Sequence, residues 1–310
     1  MSKNNLAIIG LGSVGQSICH SLLKDGIFET IYLIDKDKNL VDGLYLDFSH
    51  AAVNYGTSSV KVGSYDDLKK CSYVIITVGV KQDNHVFSNE KYQAVLDMYD
   101  DILDNLKKVN YKDFIIITSN PVDILTFYTY KRLNLPKNKI IGSGTLLDSK
   151  RFKFLLGEKL KVSPNALQGF ILGQHGINLV PIYSLTRVYS AKLRDYMFNH
   201  NISINKEEIN DYVKYAGNNI ISKSGASMYA IAESVSEIIK SITSNKGAIL
   251  PLSIISSSDD YAMSLPCIVT SDGIKEFDEL YFSNEEIQLI EECKKSSLEM
   301  VKIVLKDRLY

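Results

Sequence analysis

Three polar side chains in the middle of the chain have the types and the spacing that proton transfer beside a bound carboxylate requires. Asp148 and Arg151 are three residues apart, which places both on one face of a helix. His175 follows in the segment GQHG. Arginine binds carboxylates through two parallel N–H donors. Histidine exchanges protons near neutral pH, and a neighbouring aspartate can fix its tautomer and favour its charged form. An ion pair on a helix surface, with a histidine in a glycine turn, fits the same residues.

A glycine-rich turn near the N-terminus predicts a second kind of site. Residues 5–15, NLAIIGLGSVG, join a buried-strand pattern to three glycines spaced as GxGxxG, and a helical pattern follows. A second apolar run at residues 30–34 ends at Asp35, which lies 20 residues after Gly15. This order of elements is the dinucleotide-binding fingerprint. The helix N-terminus would bind the pyrophosphate, and Asp35 would accept hydrogen bonds from a ribose diol and repel a 2′-phosphate. We therefore predict NAD as the cofactor.

The elements that must position these residues alternate between strand and helix in the first half of the chain. Further strand patterns fall at residues 60–63, 73–77, 114–118 and 139–141, and further helical patterns at 38–54, 88–109 and 124–133. Such alternation predicts an α/β fold with a Rossmann doubly wound parallel sheet. Ligands of these sheets bind beyond the carboxyl ends of the strands, where Gly79, Asn120 and Ser143 fall.

The pattern changes after residue 144 to that of an α+β domain. Strand patterns fall at residues 167–172, 179–189, 248–256, 263–270 and 273–277. Helical patterns fall at 206–244, with an interruption near 222–226, and at 284–306. We predict an NAD-binding Rossmann domain at 1–144 and an α+β catalytic, substrate-binding domain at 145–310. Because no linker rich in proline, glycine or serine separates them, the two should pack closely.

Composition excludes several classes of function. The net charge of the 310 residues is −1, so there is no electrostatic case for nucleic acid or an anionic membrane as a partner. The four cysteines are far apart and form no CxxC motif, which favours free thiols in a reducing compartment over a metal site. We find no apolar run of membrane-spanning length and no signal-peptide pattern. These features predict a cytoplasmic protein without a bound metal.

The motifs taken together resemble those of the L-lactate dehydrogenases and their relatives, the L-2-hydroxyisocaproate dehydrogenases. The similarity runs nearly end to end through GLGSVG, IYLID, VIITVG, SNPVDILT, IGSGTLLDSKRF, LGQHG and SLPCIVTSDGI. It implies an NAD-dependent oxidoreductase that interconverts a 2-oxo acid and the L-2-hydroxy acid by hydride transfer. It also implies a homo-oligomer, with a tetramer favoured and a dimer possible.

The resemblance assigns roles to individual residues. His175 would be the proton donor and acceptor, Asp148 would hold its ring, and Arg151 would bind the substrate carboxylate. Further substrate-binding positions are Gln82, Ser88, Asn120, Asp123 and Ser227. The positions that would line the NAD site are Gly10, Gly12, Val14, Gly15, Asp35, Tyr65, Gly79, Val80, Ser119, Asn120 and Ser143. The bond between Asn120 and Pro121 is expected to be cis.

One departure concerns the loop after the fourth strand, where the family carries an arginine that polarises the substrate carbonyl. Residues 81–91 contain no arginine, and the family position maps to Ser88. Losing a preorganised charge over a developing oxyanion costs on the order of 10²–10³ in rate. Lys91 or His85 could substitute, although lysine lacks the planar fork of arginine. Gln82, at the position where malate enzymes bind a second carboxylate through arginine, favours a monocarboxylic acid.

Three functions therefore fit the sequence. The leading one is a dehydrogenase of pyruvate or a larger monocarboxylic 2-oxo acid. The second is an enzyme whose pocket is wider than pyruvate needs. The third is a catalytically impaired NADH-binding paralogue with a regulatory or assembly role, which the missing arginine favours and the intact set of Asp148, Arg151 and His175 opposes.

Overall fold

A mixed β-sheet of eleven strands, with helices packed against it, organises the computed structural model, which describes residues 4–56, 58–80, 88–176 and 178–309. The first half contains β1 (Asn5–Ile9), α1 (Ser13–Asp25), β2 (Thr30–Ile34), α2 (Lys38–Ala52), β3 (Ser59–Val62), β4 (Tyr73–Ile76), α3 (Asn89–Lys108), β5 (Phe114–Ile117), α4 (Val122–Arg132) and β6 (Ile140–Gly142). The order of its strands is β3-β2-β1-β4-β5-β6, all parallel. Every residue of β2, β4 and β5 is buried, as expected for strands covered on both faces. The predicted Rossmann sheet is confirmed.

The second half continues the same sheet instead of building a separate one. It contains α5 (Leu146–Leu160), β7 (Leu167–Gln168), β8 (Ile171–Gly173), β9 (Leu179–Pro181), β10 (Arg187–Val188), β11 (Ala191–Lys192), α6 (Leu193–Asn199), α7 (Lys206–Ser224), α8 (Tyr229–Ser244), β12 (Ala248–Ile255), β13 (Ala262–Thr270), β14 (Gly273–Glu276), α9 (Asn284–Val304) and α10 (Lys306–Leu309). Strand β12 runs antiparallel to β6, and β13, β8 and β9 extend the sheet further. The eleventh strand, β14, pairs with β13. Among the described residues, Ser253 opposite Gly142 is the pair that joins β12 to β6.

Two predicted strands are divided in the structure. The pattern at 167–172 becomes β7 and β8, which belong to different sheets, because β7 pairs with β10 in a small three-stranded sheet while β8 pairs with β13. The pattern at 179–189 likewise becomes β9 and β10. At the break between β7 and β8, a Cβ on Gly169 would lie 3.0 Å from the Phe152 ring and 3.1 Å from Thr186 Oγ1, so the backbone turns in close contact with its neighbours. Helix α6 was not predicted.

Gly144 fixes the start of α5, the helix that carries two of the three predicted catalytic residues. Its φ is +54°, and a Cβ at this position would lie 2.5 Å from the backbone nitrogen of Ser253 and from Ser264 Oγ. The next backbone N–H, that of Thr145, donates to Ser264 Oγ over 3.0 Å. Helix α5 therefore begins in close contact with β12 and β13. None of the described helices is long and apolar enough to cross a membrane.

Candidate active site

Asp148 connects the other two predicted catalytic residues. It lies in the first turn of α5 with a side chain that is 1% exposed. One carboxylate oxygen is 2.6 Å from His175 Nδ1, and the other accepts a hydrogen bond of 3.0 Å from an Arg151 terminal nitrogen. His175, in the turn between β8 and β9, keeps 24% of its side chain exposed. One buried carboxylate thus orients an imidazole and a guanidinium, and the i,i+3 spacing of Asp148 and Arg151 predicts their part of this arrangement.

The charges in this cluster favour a protonated histidine. Burial lowers the pKa of His175, but the charge and hydrogen bond of Asp148 outweigh burial and the nearby Arg151, and the net pKa is raised. For Asp148, burial acts to raise the pKa, and the interactions with His175 and Arg151 reverse this and hold it below its usual value. Since Nδ1 faces Asp148, Nε2 is the ring nitrogen that remains for a ligand.

Two residues of the second half border the Arg151 guanidinium. Ser227 Oγ lies 3.5 Å from one terminal nitrogen. A Cβ on Gly217 would lie 3.5 and 3.7 Å from the two terminal nitrogens and 4.0 Å from Cζ, which places it in front of the open end of the fork. Glycine at this position of α7 therefore leaves space where a carboxylate can approach both N–H donors. Gly217 was not predicted as a site residue, although a glycine inside a helix costs roughly 1 kcal/mol relative to alanine and is a usable signal.

The glycine turn fits a dinucleotide. A Cβ on Gly15 would lie 2.1 Å from the carbonyl oxygen of Gly10, whose own φ is +95°, so α1 packs directly on the end of β1. Around Gly12 nothing would meet a Cβ within 4 Å, and no side chain caps the helix there. The N-terminus of α1 thus has no side-chain cap and has open space beside Gly12, as pyrophosphate binding requires. Asp35 accepts from the backbone nitrogen of Leu11 over 2.6 Å, which fixes its carboxylate beside the turn.

The remaining predicted NAD positions lie along the same edge of the sheet. Tyr65 is close to Asp35, and burial, together with the nearby carboxylates of Asp101 and Asp35, raises its pKa to about 12. Val14 is in the first turn of α1 and is partly buried. The positions that follow the carboxyl ends of β4, β5 and β6 are Gly79, Val80, Ser119, Asn120 and Ser143. The Asn120–Pro121 peptide bond is cis, as predicted.

The predicted substrate-binding positions differ in exposure and in their contacts. Ser88 is exposed and caps the N-terminus of α3 by accepting from the backbone nitrogen of Lys91 over 3.4 Å. Gln82 and His85 lie outside the described residues. Asp123 is 6% exposed, and its two carboxylate oxygens accept from Ser253 Oγ and from the backbone nitrogen of His175. Both oxygens are bonded to protein groups, which favours a supporting role for Asp123 over substrate contact.

Comparison with known proteins accounts for both halves of the chain. Residues 4–142 match the NAD-binding domain of the lactate/malate dehydrogenases, and residues 145–306 match their alpha/beta C-terminal domain. The L-lactate dehydrogenase of Halalkalibacterium halodurans is 31% identical over 91% of this chain and 92% of its own. An L-lactate dehydrogenase of Clostridium botulinum is 31% identical over 88% of each chain.

Solved structures give the same result. The minor L-lactate dehydrogenase of Enterococcus mundtii superposes with a TM-score of 0.91 and 28% identity over 97% of this chain and 98% of its own. The L-lactate dehydrogenase of Clostridium thermocellum gives a TM-score of 0.84 and 31% identity over 99% and 100%. With its NAD-binding turn and its Asp148-centred cluster in place, the chain belongs to the lactate/malate dehydrogenase family and is an NAD-dependent, L-lactate dehydrogenase-like enzyme.

Proposed function

We propose that the enzyme interconverts a monocarboxylic 2-oxo acid, either pyruvate or a larger homologue, and the corresponding L-2-hydroxy acid. The observation that carries this proposal is the bridging carboxylate of Asp148, which holds a proton donor and a carboxylate-binding guanidinium beside each other. The bound nicotinamide supplies or accepts the hydride. His175 gives its Nε2 proton to the keto oxygen in reduction and takes it back in oxidation, and Asp148 stabilises the imidazolium.

Arg151 would bind the carboxylate of the substrate. Its two terminal guanidinium nitrogens would donate to the carboxylate in the space that Gly217 leaves open. Residues 1–144 would bind NAD and residues 145–310 would supply most of the substrate site, with Asn120 and Ser227 at its margin. We infer a homo-oligomer, as tetramer or dimer. The described cysteines are all buried and form no disulfide, which supports a reducing compartment such as the cytoplasm.

The test is NADH oxidation followed with pyruvate, 2-oxoisocaproate and oxaloacetate in parallel. We expect turnover of one or both monocarboxylic acids and little of oxaloacetate, because the chain places a neutral glutamine at position 82. Turnover of 2-oxoisocaproate alone would identify an enzyme for branched acids. If NADH binds and no 2-oxo acid is reduced, the proposal fails, and the missing loop arginine then favours the NADH-binding paralogue.

Ser88→Arg is expected to raise kcat for the preferred acid by about 10²–10³-fold. An arginine here restores a positive charge at the position where the family carries one, and such charges over a developing oxyanion have effects of this size. The variant also loses the helix cap that Ser88 provides to α3, at a cost of roughly 1 kcal/mol in the free energy of unfolding. Ser88→Ala is the matched control, since it removes the cap without adding a charge. Equal kcat in both variants would show that position 88 does not act on the carbonyl.

The pH dependence of reduction follows from the raised pKa of His175. Reduction requires the imidazolium, so kcat/KM for the 2-oxo acid should fall as pH rises through that raised pKa. Oxidation of the hydroxy acid requires the neutral ring, so kcat/KM for the hydroxy acid should rise as pH increases through the same pKa. Steady-state profiles in both directions, measured on the same preparation, check the prediction. Profiles without opposite limbs would contradict proton exchange by His175.

A further inference from the structure

The carboxyl group of Asp123 contacts the backbone of the histidine turn, the turn between β8 and β9 that carries His175. One oxygen accepts a 3.1 Å hydrogen bond from the backbone nitrogen of His175, and the other accepts a 2.5 Å hydrogen bond from Ser253 Oγ. Asp123 is in the first turn of α4, Ser253 is on β12, and His175 follows β8. Three segments that are distant in sequence are therefore connected through one buried carboxylate.

Ser253 is a fixed point for this connection. It is fully buried and pairs with Gly142, at the junction where β12 meets β6. A Cβ on Gly142 would lie 2.6 Å from the Ser253 Cβ and 2.4 Å from Thr126 Oγ1, so the two strands approach closely at this pair. The hydroxyl of Ser253 therefore holds Asp123 at a defined place in the sheet.

We propose that Asp123 is a positioning residue for proton transfer, acting on His175 through the backbone amide that it binds and through its negative charge. Asp148 holds the imidazole at Nδ1, whereas Asp123 holds the backbone of the same residue. Because His175 is held both at its ring and at its backbone, the orientation of its imidazole toward the substrate is restricted. This inference rests on the proposed function of His175 as the acid and base.

The charges around His175 agree with this role. Among the described residues, the charged groups that act on it are Asp148, Asp123 and Arg151. With the imidazolium present, two negative and two positive charges balance, and the neutral ring leaves one negative charge in excess. Burial raises the pKa of Asp123 to about 6, while its bond to Ser253 and the nearby His175 act to lower it. Cys293 is close to Asp123 but adds no charge at neutral pH, because burial raises the pKa of its thiol to about 11.

The decisive variant is Asp123→Asn, with Asp123→Ala as its comparison. Asparagine keeps the shape and an oxygen that can accept from the His175 N–H, and it removes the charge. Alanine removes both. We expect kcat for 2-oxo acid reduction to fall about 10-fold in Asp123→Asn and about 10²-fold in Asp123→Ala, because small displacements of a catalytic group have effects of that order. Ser253→Ala, which keeps the Asp123 side chain and its hydrogen bond to the His175 amide, should lower kcat by a smaller factor than Asp123→Ala.

The second measurement follows the His175 imidazole by NMR titration of the full-length enzyme, with His175→Gln used to assign its signal. Removing a nearby negative charge destabilises the imidazolium. We therefore expect the pKa of His175 to fall in Asp123→Asn, with the basic limb of kcat/KM for reduction moving to lower pH by the same amount. Thermal unfolding of each variant shows whether the fold is retained.

Several results would overturn the inference. If the pKa of His175 in Asp123→Asn and Asp123→Ala equals that of the parent enzyme, and the variants lose only thermal stability, Asp123 has a structural role alone. If both raise KM for the 2-oxo acid and leave kcat and the titration unchanged, Asp123 binds substrate. The titration does not depend on turnover. If the parent enzyme reduces no 2-oxo acid, the proposed function fails, and the effect of Asp123 on His175 is still decided.

Discussion

His175→Gln is expected to lower kcat for 2-oxo acid reduction by about 10²–10⁴-fold, the range that general acid–base catalysis contributes. Glutamine has a similar reach and can still donate a hydrogen bond to Asp148, but it cannot give up a proton at neutral pH. The expected loss therefore lies in kcat, with NADH binding retained, because the glycine turn at Gly12 and the carboxylate of Asp35 are separate from the histidine turn.

The chain offers a matched control for this substitution. His200 is an exposed histidine at the end of α6, and its Nδ1 is 2.8 Å from the carbonyl oxygen of Tyr196. His200→Gln should leave kcat unchanged. Steady-state kinetics with saturating NADH, combined with NADH fluorescence titration, check both variants. A His175→Gln enzyme with kcat within a few-fold of the parent would remove His175 from the proton transfer step.

Arg151→Gln is expected to lower kcat/KM for the 2-oxo acid by a factor between about 30 and several thousand. This corresponds to the roughly 2–5 kcal/mol that truncating one partner of a buried, hydrogen-bonded charge pair costs. The substitution removes both N–H donors that face the space beside Gly217, and it also takes a cation away from Asp148. Arg151→Lys keeps the charge without the planar fork and should recover only part of the loss.

The control is Arg187→Gln, because Arg187 lies on the short strand β10, is exposed and donates to the carbonyl oxygen of Ser190. Its kcat/KM should equal that of the parent. Affinity for oxamate, a carboxylate that is not turned over, gives a second measure in the presence of NADH and should fall in Arg151→Gln. Unchanged oxamate affinity would show that the carboxylate binds elsewhere.

The glycine turn and the pair of Asp148 and Arg151 could be predicted from the sequence because their geometry depends on local spacing. A GxGxxG turn requires a strand before it and a helix after it, and both are visible as periodic patterns. Asp148 and Arg151 share one helix, so their separation of three residues sets their relative placement. His175 could be singled out by its residue type, but its role beside Asp148 came from the resemblance of its motif, since no local rule places residue 175 beside residue 148.

The parts that could not be predicted depend on pairing across long distances in the chain. The bond between Asp123 and Ser253 joins residues 130 apart, and nothing in either local pattern points to the other. The continuation of the sheet from β6 into β12 is equally invisible, because each strand reads as an ordinary apolar run. The division of the pattern at 167–172 depends on which sheet each half pairs with, and periodicity does not report this.

The junction of β12 with β6 also sets the order in which the enzyme can acquire its parts during synthesis. The strands β1 to β6, with the glycine turn and Asp35, are complete once residue 142 has been made. The hydroxyl that holds Asp123 arrives with residue 253, more than a hundred residues later. Since domains generally fold in the order of their synthesis, a nascent chain would gain the means to bind NAD well before the backbone of His175 is anchored through Asp123 and Ser253. A chain interrupted between these points would be a nucleotide binder with an open sheet edge at β6, and therefore a candidate for aggregation.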